Sequence, residues 1–231
     1  MKQALLAALL GAFIFLSSTV SGQSSKNISE RNSHVQKSAH TYLDLMINVV
    51  STSINYGSAN TSLSDYKKFG NGLQAGASFQ AGITPGFSLV SELYFMRKGG
   101  KLKTNNPLTT TESSLRLNTI ELPILARFHF GSFYINGGPS IAYTISGERK
   151  IDKKSTKISF DDSPEGYKRV EASIQVGAGY EFPFRKRRIA LDIRYNYGLT
   201  DITNNKEMYN RALMISVHFS KAWRTNPLGI N

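Results

Sequence analysis

Apolar and polar residues alternate along most of the chain after its first forty positions. The clearest run covers residues 115–145, where two alternating segments flank Gly131-Ser132. Alternation with a period of two is typical of a β-strand with one apolar and one polar face. A Gly-Ser pair between aromatic residues indicates the tight turn of a hairpin. The sequence therefore predicts a long β-hairpin here, with Phe128 on its apolar face and Glu121 and Arg127 on its polar face.

The same period recurs in six further segments, which gives eight predicted strands in all. Besides the two hairpin strands, they lie at about residues 40–50, 70–83, 87–97, 168–182, 188–199 and 208–220. No helical period of useful length interrupts them after the first part of the chain. The connections after the first, third, fifth and seventh strands are longer than those after the second, fourth and sixth. We therefore expect an all-β fold, an eight-stranded antiparallel up-and-down barrel.

Alternation alone leaves two kinds of barrel open. A soluble, lipocalin-like binder would turn the apolar face inward, whereas a transmembrane barrel would turn it toward lipid. The polar face favours the second, because it is made mainly of Gly, Ser, Gln and Asn with very little Lys, which suits a narrow lumen better than a water-exposed surface. Alternating short and long connections and aromatic residues near strand ends are also typical of outer-membrane barrels. We expect a transmembrane barrel with a polar, packed lumen.

The first 22 residues predict a cleaved signal peptide. Lys2 provides a positive start, residues 5–16 form an apolar core, and small residues precede a cut before Gln23. Residues 23–38 are polar and aperiodic, which predicts an N-terminal arm. The barrel is expected over residues 39–220, followed by a C-terminal tail at 221–231. Export through the signal peptide would place the protein in the outer membrane of the cell.

The net charge and the lack of Cys limit the classes of ligand and partner that the sequence favours. The 231 residues carry a formal net charge of +12 and include no Cys. The lack of Cys excludes disulfides and Cys-ligated metals. A basic balance is compatible with nucleic acid, anionic lipid or acidic glycans, but export argues against nucleic acid. The expected surroundings are outer-membrane lipid and lipopolysaccharide.

Charged residues are also predicted on the lumenal face. They are Asp44, Glu92, Glu121, Arg127, Glu171, Glu181, Asp192 and Arg194. One interpretation is an ion-selective path. The alternative is an internal network of ion pairs, since a small barrel has room only for its side chains and an unpaired buried charge is costly. We expect such a network, built from Glu92, Glu121, Arg127, Asp192 and Arg194.

Two basic stretches fall outside the predicted lumen. The densest charge run, Arg185, Lys186, Arg187 and Arg188, is predicted to lie in a periplasmic turn, where it would contact lipid headgroups or dock a periplasmic protein partner. The connection 146–167 has a basic half followed by an acidic half. Lipopolysaccharide, an acidic glycan or a partner protein would each suit this external loop.

The sequence predicts no catalytic, metal or cofactor site. The residues considered for catalysis are His129, His218 and Ser216, near predicted strand ends. Their spacing matches no nucleophile elbow, no zinc-binding HExxH motif and no phosphate-binding loop. We therefore expect a protein that is not an enzyme.

Five short motifs resemble the PorT-type outer-membrane β-barrel family of Bacteroidetes. They are residues 91–94 (SELY) followed by 98–99 (KG), 119–123 (TIELP), 134–139 (YINGGP), 177–180 (GAGY) and 194–201 (RYNYGLTD). The resemblance covers most of the chain after the signal peptide and implies an eight-stranded barrel. One member is an accessory factor of type IX secretion and gliding, which implies secretion-machinery partners. The chain departs from the usual pattern by ending in a tail instead of a terminal aromatic residue.

The function expected from all this is an interaction, assembly or structural role in the outer membrane, linked through the resemblance to type IX secretion. A small channel or a ligand-carrying barrel is the alternative.

Overall fold

The computed structural model describes residues 41–184, 187–205 and 207–222. The predicted signal peptide, the polar arm, most of the tail, and Arg185 and Lys186 of the basic turn lie outside these residues. The eight long strands are β1 (Tyr42–Tyr56), β2 (Gly70–Thr84), β3 (Phe87–Leu102), β4 (Ser113–Phe130), β5 (Phe133–Ile151), β6 (Val170–Phe184), β7 (Arg187–Gly198) and β8 (Met208–Ala222). The last strand extends two residues into the predicted tail.

Every long strand pairs antiparallel with the next one along the chain, and β8 pairs with β1. The sheet therefore closes on itself, and the backbone groups of the closed ladder find partners within it, as a bilayer requires. This confirms the predicted eight-stranded antiparallel barrel.

The predicted hairpin turn is present between β4 and β5. Gly131 has φ +69°, a left-handed conformation that glycine adopts at little cost, and Ser132 completes the two-residue turn. A similarly short turn at 85–86 joins β2 to β3. The connections at the opposite end are longer. By the rule for outer-membrane barrels, the short turns face the periplasm and the long connections face outward.

Apolar side chains point away from the lumen along the middle of every strand. Leu45 and Leu73 are 67% and 69% exposed, whereas Met46 and Asn48, which alternate with the outward residues, are buried. In a water-soluble protein the exposed residues would form the core. Here they form a lipid-facing belt, which is the reverse of the lipocalin-like arrangement.

The strands β1, β3 and β5 extend further outward than predicted. They end at Tyr56, Leu102 and Ile151, whereas the sequence pattern suggested ends at 50, 97 and 145. The reason is an inversion of face polarity. Beyond the lipid belt the inward residues become apolar, as at Ile54, and the outward ones become polar, as at Arg116. A search for strands that are apolar outside and polar inside stops at this inversion.

Short elements decorate the external end. A 3-10 helix (Ser58–Tyr66) follows β1, the segment Lys67–Lys68 pairs with the end of β3, and Lys154–Lys157 pairs with the end of β5. Among the residues that the structure describes, no helix has the length and apolarity to cross a membrane.

Candidate functional site

The centre of the lumen is occupied by Arg194. Its two terminal nitrogens, Nη1 and Nη2, lie 2.7 and 3.0 Å from the two carboxylate oxygens of Glu92. Its Nε donates a hydrogen bond to Asp192 Oδ1 at 2.8 Å. Glu92 is on β3 and Arg194 on β7, so this bidentate pair joins two walls of the barrel. Planar, two-point pairing of this kind is both strong and geometrically specific.

Asp192 continues this cluster toward the short-turn end. Its Oδ2 accepts hydrogen bonds from the Tyr134 hydroxyl and the Asn136 amide, each at 2.9 Å. Arg127 Nη2 lies 3.8 Å from the same oxygen, and its guanidinium sits 4.0 Å from the centre of the Tyr134 ring. Arg127 also donates to Gln80 Oε1 at 2.8 Å. The structure thus brings four of the five predicted residues, Glu92, Arg127, Asp192 and Arg194, into one cluster.

The fifth predicted residue, Glu121, belongs to a neighbouring cluster around Lys98. Lys98 Nζ lies 2.6 Å from Glu121 Oε1 and 2.8 Å from Glu171 Oε2, and all three side chains are buried. Asn210 also donates to Glu171 Oε2 at 2.8 Å. A chain of hydrogen bonds from Arg194 through Gln175 and the Tyr94 hydroxyl to Glu121 connects the two clusters.

Sequence reasoning missed Lys98, because the predicted strand ended at residue 97 and left Lys98 in the connection that follows. The signal was available in the period of two, since Lys98 has the same parity as Tyr94 and Met96, which also face inward. Continuing the strand beyond residue 97 would have found it.

The position of Arg188 shows that one prediction about the periplasmic basic turn was wrong. Arg188 was assigned to an exposed periplasmic turn, but the structure places it in β7 with 3% of its surface exposed. Its Nη2 donates to Asp44 Oδ2 at 3.1 Å, and its Nη1 contacts Glu181 Oε1 closely. The cause is strand parity, since Arg188 precedes the lipid-facing Ile189 and so faces inward, toward two carboxylates. Its neighbour Arg187 is exposed.

One wall of the lumen is apolar, which the predicted polar lumen did not include. It is formed by Met46, Val50, Tyr94, Met96, Ala212 and Met214. Beside it, Asn48 lies between Ser216 of β8 and Gln74 of β2 in the strand register. The side-chain polar atoms of these three residues are buried and have no hydrogen-bond partner among the residues that the structure describes.

An apolar cluster closes the external mouth, and we call it the external cap. It consists of Ile54, Tyr56, Leu63, Leu102, Leu115, Leu117 and Ile202. Leu63 comes from the 3-10 helix and Ile202 from the connection after β7, so loop residues complete it. Tyr167 packs against the cap from the long connection after β5, and burial there raises the pKa of its phenol above the ordinary value.

A serine, a histidine and a carboxylate do meet near the short-turn end. Ser88 Oγ lies 3.0 Å from His129 Nε2, and Glu181 Oε1 lies 3.9 Å from His129 Nδ1. Nucleophile, base and acid follow this order in serine hydrolases. However, 3.9 Å is too long for a hydrogen bond, Glu181 is engaged by Arg188, and Ser88 is buried. This geometry does not present a nucleophile to a substrate.

The histidine considered together with Ser216 is arranged differently. His218 and Ser216 both point into the lumen from β8, and His218 Nδ1 lies 3.6 Å from Asp44 Oδ2. Within the described part of the chain the Ser216 hydroxyl has no hydrogen-bond partner, so it is not paired with His218 as a nucleophile with its base. Within the described ranges, no group of three or more His, Cys, Asp or Glu side chains is placed to hold a metal ion.

The long connection after β5 forms the most prominent external surface. Its first part continues β5 as a hairpin with exposed Lys150, Lys153, Lys154 and Lys157. Its second part is fixed to the connection after β7 by Asn204, whose amide donates to the carbonyls of Asp161 and Ser163 at 2.8 Å each. The two connections together form one external surface, which we call the external platform. Its lysines lie on the hairpin that continues β5, and the carboxylates Asp161, Asp162 and Glu165 lie beyond them.

The closed ladder, the outward apolar belt and the ion-paired lumen define a small β-barrel protein of the outer membrane. The chain belongs to the outer membrane protein beta-barrel domain family, whose model matches residues 23–204. Localisation in the outer membrane, as predicted, is confirmed by this membership.

Solved structures of other outer-membrane proteins are similar at low sequence identity. Neisserial surface protein A (NspA) is 10% identical, with a TM-score of 0.47, over 78% of this chain and 97% of that chain. OprG from Pseudomonas aeruginosa is 10% identical, with a TM-score of 0.47, over 81% and 97%. Ail of Yersinia pestis, solved in complex with the heparin analogue sucrose octasulfate, is 12% identical, with a TM-score of 0.43, over 78% and 99%. A search of curated proteins found no significant match.

Proposed function

We propose that this protein is a non-enzymatic outer-membrane barrel that acts as an interaction or assembly factor. The observation that carries the proposal is the continuous filling of the lumen. The Arg188 pairs, the Arg194 cluster and the Lys98 cluster follow one another along the barrel axis, and the external cap lies above them. A barrel filled in this way is better suited to present binding surfaces at its two ends than to let a solute pass.

The external platform is the surface best suited to a partner. It carries several exposed lysines on a hairpin that β5 holds rigidly, which fits an acidic glycan or an acidic protein surface. The resemblance to the PorT-type family makes components of the type IX secretion machinery the first partners to test.

Affinity capture from detergent-solubilised membranes of the source bacterium tests this proposal. The full-length protein should recover a defined set of partners. A variant with Lys150, Lys153, Lys154 and Lys157 all changed to Gln should lose them. A matched variant that replaces outward lysines of the first external connection, Lys67 and Lys68, should retain them. Recovery of secretion-machinery components would support that specific role, and equal recovery by both variants would overturn the assignment to the platform.

A small channel is the second candidate, and one observation favours it. Along one lumenal wall, Asn48, Gln74 and Ser216 present polar atoms that have no partner among the described residues. Buried polar groups are normally satisfied by protein or by water, so this wall is the part of the lumen most compatible with a hydrated path. Electrical conductance distinguishes the two candidates.

A further inference from the structure

The lipid-facing surface of β2 carries small side chains where its neighbours carry large ones. Ala75 and Ala77 point outward, and in the strand register Ala75 lies between Ile47 of β1 and Phe95 of β3. Those two neighbours project into lipid, with 63% and 44% of their surfaces exposed. A groove lined by Val49, Leu73, Ala75 and Phe95 follows from this difference in size. We call it the β2 trough.

Arg97 stands at the external end of the trough. It follows Phe95 on the outward face of β3 and is the first polar residue beyond the apolar belt on that strand. Its Nε donates to Asn118 Oδ1 at 3.2 Å, and Asn118 in turn donates to Ser146 Oγ at 3.0 Å. This lateral chain of hydrogen bonds fixes the guanidinium at the boundary between the apolar and polar surfaces.

A polar pocket adjoins the trough on the external side. Arg97 and Asn71 line both, and Lys101 and Arg116 contribute further cations to the pocket. The pairing along β3 is interrupted here, between the pair Gln74–Met96 with β2 and the pair Lys68–Lys101 with the short segment before β2. Such an irregularity redirects side chains at a strand end. The result is an apolar trough that leads into a cationic pocket.

The charge of the pocket is positive. Two carboxylates lie nearby, and both belong to ion pairs whose side chains are about half exposed. Glu148 lies 3.3 Å from Arg116, and Glu112, which pairs with Lys68, also interacts with Lys101. Exposed pairs of this kind are weak, so the pocket keeps its attraction for anions. Arg is the residue best suited to bind a phosphate at two points.

We propose that the trough and pocket bind a phosphorylated lipid of the outer leaflet, the lipid A part of lipopolysaccharide. A phosphate contacts Arg97 and Lys101, and one acyl chain lies in the trough along Ala75 and Ala77. Several cations spread over two strands suit a lipid with more than one phosphate. The site lies on the side wall of the barrel, so it is independent of partner binding by the external platform.

Native mass spectrometry of the refolded full-length barrel tests the site with lipid A that carries two phosphates. We expect Arg97→Gln to weaken lipid A binding about tenfold, as loss of a charge-assisted bond predicts. Ala75→Leu fills the trough without changing charge and should weaken binding by about threefold, since it displaces an acyl chain. Arg187→Gln removes an exposed cation at the short-turn end, on the opposite side of the membrane from the pocket, and should leave binding unchanged. Heat-dependent migration in gels confirms that each variant is folded.

Two further probes separate lipid A from other lipids. Lipid A without its phosphates should bind the unmodified protein at least as weakly as intact lipid A binds the Arg97→Gln variant. Phosphatidylglycerol, which has one phosphate and two chains, should compete poorly. Equal effects of the Arg97 and Arg187 substitutions, equal binding of dephosphorylated lipid A, or equal competition by phosphatidylglycerol would each overturn the proposal. Unchanged binding by Ala75→Leu would overturn the placement of the acyl chain.

Discussion

Arg194 and Glu92 face each other across the lumen from β7 and β3 and form a bidentate ion pair, with nitrogen–oxygen distances of 2.7 and 3.0 Å. Both side chains are almost fully buried. Two buried charges of opposite sign stabilise a fold only as a pair, because each leaves a large desolvation cost when its partner is removed. The pair therefore acts as a cross-link between opposite walls of the barrel.

We expect Glu92→Gln to lower the free energy of unfolding by about 3 kcal/mol, because it removes one of the two carboxylates that pair with the buried Arg194. The double variant Glu92→Leu with Arg194→Met should be destabilised by less than the sum of its two single variants, although it leaves Asp192 with Arg127 as its remaining close cation. Urea unfolding of the barrel in lipid vesicles measures both values. Single effects that simply add in the double variant would contradict the cross-link.

Arg187 and Arg188 are adjacent in sequence but have opposite surroundings. We expect Arg188→Gln to destabilise the barrel by about 3 kcal/mol, since Asp44 and Glu181 lose their cation. The same change at Arg187, which is exposed, should alter stability by less than about 0.5 kcal/mol. The Arg187 variant is the matched control, because the two arginines are adjacent and differ in the direction that their side chains face. Equal effects of the two substitutions in the same unfolding assay would contradict the buried position of Arg188.

The point along each strand at which the polarity of the two faces inverts marks the external boundary of the lipid layer. Since the chain has no natural Cys, single cysteines can carry spin labels at chosen positions. On β4, a label at Ile120→Cys should collide mainly with oxygen dissolved in lipid, and one at Arg116→Cys mainly with a water-soluble nickel complex. A label at Leu117→Cys, inside the external cap, should collide with neither. Water exposure at Ile120 would contradict the boundary.

The external platform has a carboxyl whose ionisation depends on a loop contact. The Ser163 hydroxyl donates to Asp161 Oδ1 at 2.6 Å, and this bond lowers the pKa of the carboxyl below its ordinary value. Because the pKa of Asp161 is lowered in the folded loop, its ionised form stabilises that loop. This contribution to stability is present at pH values above the ordinary carboxyl pKa and is lost as pH falls through the lowered pKa. NMR titration should show the low pKa, and Ser163→Ala should return it toward the ordinary value. An unchanged pKa in that variant would assign the shift to another cause.

The sequence pattern was sufficient for the architecture because a lipid-facing strand carries a strict alternation, as Ile47 and Asn48 illustrate. It failed where the environment changes along a strand. Lys98 and Arg188 are lumenal because of their parity, but their charge suggested loops and turns. Ile54 and Leu117 form a core outside the membrane, where apolar residues turn inward as in a soluble barrel. The clustering of Glu92, Asp192 and Arg194 was expected, whereas the pairing of Glu121 with Lys98 depends on distances across the lumen that no local pattern contains.

The most direct test of the filled lumen is the conductance of the full-length refolded protein in planar lipid bilayers. The ion-paired clusters and the external cap predict no steady current above that of a protein-free membrane, across both signs of applied voltage. Reproducible single-channel openings with a defined conductance would contradict the account and favour the small channel.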